Sequence, residues 1–295
     1  MSSNGYYWGI DVGGSFTKVG YLSGRNFILA DSFRTGESAT PEATLEKASE
    51  IILSRDSTPA AAGLGTAGLI DRENGTVQFS PNLPLWSGAQ VRKILGDMLK
   101  APVMLDNDCN VFATGAICSG QIPSHGLWLF LTLGTGIGGT IINSGEIIYG
   151  TGNSGEFGHT TVMADGIPCP CGSSGCWERY TGRKALEWYY RRITGSAISP
   201  LEIFALASRG DSAAREAYRE FGRWFGIGLA NLANSFSPHG FFIAGGLSAG
   251  LAHFGITARR EFLKRCRHRW SLSLLEDSPL AGALGAASMV RERCS

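Results

Sequence analysis

The sequence predicts an α/β protein of two related domains that face each other across a cleft. Near the N-terminus it reads as apolar strand, glycine turn, β-branched strand, Ser-Gly turn and a third strand. The same order returns from Leu127, with an offset of about two residues, as an echo and not a strict repeat. The 295 residues are enough for two compact domains of ordinary size.

The elements follow in order. Tyr7–Ile10 is a short apolar strand running into Asp11-Val12-Gly13-Gly14, and Thr17–Leu22 is the second strand. Ser23-Gly24 makes a hairpin turn into Asn26–Ala30. Thr40-Pro41 marks a helix start, with Thr as N-cap and Pro at the first helical position, and Leu45, Ala48, Ile51 and Ile52 as its apolar face. Ala60–Gly65 reads as a buried strand, Val91–Leu99 as a helix, Val103–Leu105 as a strand and Cys109–Cys118 as a helix. The second unit opens with Leu127–Leu133, turns through Gly134–Gly139, and continues as strands Thr140–Asn143 and Glu146–Tyr149 around Ser144-Gly145. Beyond it, Arg183–Arg192, Pro200–Ala207 and Ala213–Phe236 carry helical patterns. Phe241–Ala244 is a strand ending at Gly245-Gly246-Leu247-Ser248, and Ala281–Val290 is a small-residue helix suited to close packing on a sheet.

Composition narrows the function. A hydrophobic fraction of 43% with 17% charged residues fits a globular chain. The net charge of +1 offers no general basic field for nucleic acid. No signal segment is expected in the polar, aromatic stretch Met1–Tyr7, and Leu127–Leu133 is too short to span a bilayer. Three of the seven cysteines crowd into Cys169–Cys176, which points to a metal cluster in a reducing cytoplasm and not to a disulfide framework. His159, Cys169, Cys171 and Cys176 offer the Cys₃His set of a closed structural zinc site, with Gly172 and Gly175 permitting the tight loop. Cys109, Cys118, Cys266 and Cys294 stand apart.

Gly134, Gly136 and Gly139 satisfy G-x-G-x-x-G, but a dinucleotide fold needs a helix to begin inside that motif. Here a hairpin follows, and no P-loop signature occurs anywhere. Such a hairpin still aims backbone N–H groups into one concavity able to hold phosphate oxygens. Asp11, at the end of the first strand, would hold hydrated Mg²⁺ beside them.

These residues together resemble the ROK family (repressors, open reading frames and sugar kinases) of the hexokinase/actin-like superfamily. Asp11-Val12-Gly13-Gly14-Ser15 is similar to its first phosphate motif and Gly134–Gly139 to its second. Asn82-Leu83-Pro84, with Trp86 following, resembles its sugar-side segment, and Asn107-Asp108-Cys109-Asn110 its Asn-Asp-x-Asn catalytic motif. Gly155-Glu156-Phe157-Gly158-His159 resembles Glu-x-Gly-His, and Cys169–Glu178 matches Cys-x-Cys-Gly-x-x-Gly-Cys-x-Glu.

The resemblance implies a two-domain actin-like ATPase (ribonuclease H-like) fold. A small N-terminal domain, 1–108, would be joined by the helix of 281–295, and 109–280 would form the larger domain with the zinc loop. It implies an ATP-dependent hexose kinase with Asp108 as catalytic base, and a sugar held by Asn82, Asn107, Asp108, Glu156, His159 and Glu178. ATP would lie on Asp11, Gly13, Gly14, Ser15, Gly134, Thr135, Gly136, Gly138, Gly245 and Gly246, with Mg²⁺ and a structural Zn²⁺. A homodimer is the family expectation; no membrane or nucleic-acid partner is expected.

Two departures stand out. Ser15 replaces the usual Thr and keeps the hydroxyl, and Ala116 stands where many members carry Glu. Family repressors need about 60–80 residues of helix-turn-helix ahead of the first phosphate motif, whereas ten precede Asp11, so the repressor reading is not expected. A non-catalytic sugar sensor is disfavoured by the intact phosphate turns and Asp108. Glucose is the first expectation for the sugar, then N-acetylglucosamine or N-acetylmannosamine, and donors such as polyphosphate stay open.

Overall fold

A computed structural model describes residues 5–36, 39–152, 154–275 and 279–294, with side chains to Arg291. The chain divides into two compact units. One comprises Met1–Ser124, Tyr149–Asn153 and Ser278–Ser295; the other comprises His125–Ile148 and Ser154–Asp277.

In the first unit β1 (Tyr7–Val12), β2 (Phe16–Ser23) and β3 (Asn26–Arg34) form the expected antiparallel meander. β1 runs through Asp11 because it is paired on both edges: Asp11 lies opposite Lys18 on one side and Gly65 on the other. Helix α1 (Pro41–Leu53) starts as its sequence dictates, with the Thr40 hydroxyl accepting from the Ala43 N–H and Pro41 in the first turn. It buries Leu45, Ala48 and Ile52 against Trp8, Ile10 and Leu64. β4 (Ala61–Thr66) follows, then a hairpin of β5 (Leu69–Asp71) and β6 (Thr76–Phe79) that the apolar pattern was too short to reveal. A single 3-10 turn at Pro84–Trp86 leads to α2 (Val91–Leu99), β7 (Val103–Asn107) and α3 (Asp108–Cys118). The sheet order is β3-β2-β1-β4-β7, with β1, β4 and β7 parallel.

The second unit repeats the plan. β8 (Leu127–Leu133), β9 (Ile137–Asn143) and β10 (Glu146–Ile147) are its meander. Helices α4 (Glu178–Thr181), α5 (Arg183–Thr194), α6 (Pro200–Ser208) and α7 (Ser212–Phe236) follow. β11 (Gly240–Ala244), α8 (Leu251–Leu263) and β12 (Leu272–Leu274) complete a sheet ordered β10-β9-β8-β11-β12, with β8, β11 and β12 parallel. Trp177, Phe221, Phe225, Phe254 and Phe262 fill its core. The echo between the two glycine-rich segments is therefore a repeated topology: three antiparallel strands extended by two parallel ones.

Two details differ from the sequence expectation. β9 begins at Ile137, so Gly138 and Gly139 are strand residues opposite Thr132 and Leu131 and the turn shortens to Gly134–Gly136. The third strand stops at Ile147, and Tyr149 packs in the first unit.

The last helix, α9 (Ala281–Cys294), lies on the first unit's sheet. Its small residues permit the close approach the sequence suggested. Gly9 and Gly63 are cross-strand neighbours, and a Cβ on either would collide with the carbonyl of Ala283 or Ala286. A Cβ on Gly285 would meet the Val111 carbonyl of α3, and Val111, Ala286 and Met289 form one apolar cluster. Because α3 packs on α9 in this way, the first compact unit extends to Ser124, beyond the boundary expected at 108.

Candidate active site

Asp11 sits near the end of β1, its carboxylate 3.7 Å from Lys18 Nζ on β2. Burial pushes its pKa up from 3.8 to about 6; Lys18 opposes the shift and the charge of Asp108 adds to it. Asp11 and Asp108 are thus electrostatic neighbours in one unit, although far apart in sequence. The turn after β1 is closed by the Gly13 N–H donating to the Phe16 carbonyl at 3.0 Å, while a Cβ on Gly14 would meet no atom within 4 Å. Ser15 is exposed on the same turn.

Asp108 is the first residue of α3, where the helix N-terminus favours an ionised carboxylate. One of its oxygens accepts from the Cys109 N–H at 3.0 Å. Asn107 is the N-cap: its Oδ1 accepts from the same N–H at 2.8 Å, and its Nδ2 donates to the Gly68 carbonyl at 3.0 Å. The helix cap and the carboxylate expected to act as base therefore sit in one dipeptide. Asn82 is exposed on the segment before the 3-10 turn, which is anchored by fully buried Trp86 donating to the Ala39 carbonyl. Trp86 is a packing residue. Ala116 is buried in α3.

In the second unit the Gly134–Gly136 turn links β8 to β9, with the Gly134 N–H donating to the Gly136 carbonyl. Gly136 faces Glu178, whose carboxylate a Cβ at 136 would strike. Gly245, at φ 98°, follows β11, and Ser248 donates both its N–H and its hydroxyl to the Gly245 carbonyl. Around Gly134 and Gly246, space for a Cβ is open. Thr135 lies between Gly134 and Gly136 in the turn; Gly138 lies in β9 and not in the turn.

Glu156, His159 and Glu178 lie together in the second unit. His159 Nε2 lies 3.8 Å from Glu156 and Nδ1 lies 3.9 Å from Glu178. Desolvation raises the Glu156 pKa, and His159 opposes it while Glu178 adds to it. One donor atom from each of His159, Cys169, Cys171 and Cys176 lies within 4.8 Å of the others. Cys171 and Cys176 sulfurs are 3.6 Å apart, and Cys169 Sγ is 3.8 Å from His159 Nδ1. Zinc–sulfur bonds of about 2.3 Å in a tetrahedron place sulfurs about 3.8 Å apart, so the donors fit zinc in kind and in spacing. Gly172 and Gly175 adopt φ of 92° and 71°, which only glycine takes without strain. Burial pushes the Cys169 and Cys176 thiols up, while a hydrogen bond from the Ser173 backbone pulls Cys171 down.

Sequence reasoning missed four neighbours of the aspartates. Lys18 could have been found by counting the β1–β2 register, which sets it opposite Asp11. Gly282 of α9 abuts the Asp11 carboxylate, and Arg72 and Tyr149 both contact Asp106. These three come from distant segments and carry no local signal.

Two repeated sheets with glycine turns after their strands define the actin-like ATPase class. The family model described as the ROK family matches residues 7–293. The glucokinase of Streptomyces coelicolor is 34% identical over 81% of each chain. The Bacillus subtilis xylose repressor is 33% identical over 79% of this chain and 62% of its own. The crystal structure of a ROK family glucokinase from Streptomyces griseus, in complex with glucose and AMPPNP, superposes with a TM-score of 0.82. It is 30% identical, covering 98% of this chain and all of that one. The chain belongs to the ROK family and is one of its sugar kinases.

Proposed function

We propose that the protein transfers the γ-phosphoryl group of ATP to a hexose hydroxyl, O6 of glucose, with Asp108 as general base. The observation that carries this reading is the Asp108 carboxylate, placed at the start of α3 and within the field of the Mg²⁺-suited Asp11. Asp108 takes the proton of the sugar hydroxyl as its oxygen bonds to the γ-phosphorus and ADP leaves. That role is worth about 10²–10⁴-fold in rate, and the rest is positioning and charge neutralisation. Asn82, Asn107, Glu156, His159 and Glu178 hold sugar hydroxyls, the carboxylates as acceptors and the amides as donors and acceptors. The ATP phosphates lie on Gly13, Gly14, Ser15, Gly134, Thr135, Gly136, Gly138, Gly245 and Gly246, where several turn positions have open space.

Asp11 would hold Mg²⁺, which supplies charge neutralisation to the phosphates; a half-buried carboxylate raised to about 6 is one that a cation would ionise. His159, Cys169, Cys171 and Cys176 would hold a structural zinc that keeps Glu156 and Glu178 in place. Among the described residues no helix is long and apolar enough to cross a membrane. A reducing cytoplasmic setting is part of this reading, because zinc would be held there by three thiolates.

The glucokinase relative supports glucose, whereas an N-acetyl-D-glucosamine kinase of Shigella boydii at 30% identity keeps the acetamido sugar as the competitor. The test is ADP release with ATP and, in turn, glucose, N-acetylglucosamine and N-acetylmannosamine. Glucose should give the highest kcat/KM; an acetamido sugar about tenfold better, a difference of roughly 1.4 kcal/mol, would replace glucose as the substrate.

A further inference from the structure

Asp106 precedes the catalytic dipeptide and is almost wholly buried, at 1% exposure. A lone buried carboxylate is unfavourable unless its oxygens are matched, and both are. Oδ1 accepts from the Asn107 backbone N–H at 2.7 Å and from Asn110 Nδ2 at 2.9 Å. It therefore clasps α3 on either side of Asp108. Oδ2 accepts from the Tyr149 hydroxyl at 2.9 Å. Arg72 Nε stands 3.0 Å from the same oxygen as an ion pair, without the alignment of a hydrogen bond. The Arg72 guanidinium carbon lies 3.4 Å from the centroid of the Tyr149 ring. Arg72 and Tyr149 thus support each other and grip one carboxylate oxygen, while the other oxygen grips the first turn of the helix that carries the base.

Resting on the kinase reading of Asp108, we propose that Arg72 and Tyr149 are positioning residues for phosphoryl transfer, acting through Asp106 to set the orientation of the Asp108 carboxylate. Neither has to touch the sugar. Tyr149 belongs to the short segment Tyr149–Asn153 that returns to the first unit. Misplacement of a reacting group by about 1 Å costs about 10²-fold in rate. Losing only the Tyr149 hydroxyl should cost less, about tenfold in kcat, whereas losing Arg72 leaves the buried Asp106 charge without its cation and should cost about the full 10²-fold.

The test compares Tyr149→Phe, Arg72→Ala and Arg72→Lys with the wild-type chain and Asp108→Asn, measuring kcat, both KM values and Tm. Tyr149→Phe keeps the ring that Arg72 stacks on and loses only the hydroxyl. The expected result is a kcat about tenfold lower in Tyr149→Phe and about 10²-fold lower in Arg72→Ala, with KM for sugar and ATP within about twofold of wild type. Arg72→Lys, which keeps the charge facing Asp106, should recover about tenfold of the Arg72→Ala loss. Normal kcat in Tyr149→Phe and Arg72→Ala, beside an active wild type and a dead Asp108→Asn, would overturn the inference alone. So would losses that only follow the folded fraction. A wild-type chain with no sugar-dependent ADP release would overturn the kinase reading and the inference with it.

Discussion

Gly282→Ala separates the chemistry of the Asp11 site from the stability of the fold. A Cβ at 282 would stand 2.7 Å from Asp11 Cγ and 2.8 Å and 3.0 Å from its two oxygens. Ordinary carbon–carbon contacts are about 3.5 Å or longer, so the carboxylate must retreat by about 0.8 Å. With about 10²-fold lost per 1 Å of misplacement, a fall in kcat of about 10–50-fold follows, together with a weaker response to Mg²⁺. The helix itself should gain, because Ala exceeds Gly in helical propensity by about 1 kcal/mol. The three nearest atoms that Cβ would meet all belong to the Asp11 side chain, so the strain falls first on that carboxylate. Coupled ADP release across a Mg²⁺ titration, with thermal melting alongside, reads both effects. Lower turnover at unchanged or higher Tm is the expected pair. Turnover and Mg²⁺ dependence equal to wild type in a folded variant would refute the role given to Asp11.

Three further outcomes follow from the site. Asp11 is raised from 3.8 to about 6, so the acidic form predominates below pH 6 in the metal-free protein; kcat/KM for MgATP should fall with slope one on the acid side, and the residual activity of Asp11→Asn should lack that limb. For stability the sign is opposite: a raised carboxylate favours the folded chain below the ordinary value, and that contribution is lost as pH rises through about 6. For the thiol cluster, elemental analysis should find one zinc per chain, and chelation or Cys171→Ser should raise the sugar KM by about 10–100-fold with little change in the ATP KM; an unchanged sugar KM in the zinc-free chain would leave the cluster without a part in the pocket.

The meanders were legible because their signals are local. Alternating apolar residues between glycine turns dictate strands, and the Cys-x-Cys-Gly-x-x-Gly-Cys spacing brings thiols together whatever else the chain does. The Thr40-Pro41 cap was equally local, and it is formed. What sequence could not give depends on segments far apart. Asp106 looks like an ordinary strand residue until Arg72 and Tyr149 arrive from 34 and 43 residues away. Gly282 reads as a helix weakness until α9 packs and Asp11 needs its missing side chain. The extent of β9 was misjudged because Gly138 and Gly139 resemble turn residues. They are in fact strand positions, and at 139 the strand passes so close to Phe157 and Gly155 that a side chain would not fit. Helix α8 carries a weak signal because its buried face, Phe254, Thr257, Ala258, Glu261 and Phe262, mixes polar with apolar residues.

The most direct measurement is sugar-dependent ADP release by the wild-type chain and by Asp108→Asn, with sugar affinity determined separately by calorimetry. If Asp108 is the base, wild type turns over ATP only when sugar is present, and Asp108→Asn binds sugar within a few-fold of wild type. Its turnover should fall by about 10²–10⁴-fold. Equal turnover in the variant, with its sugar binding intact, would contradict the role assigned to that carboxylate.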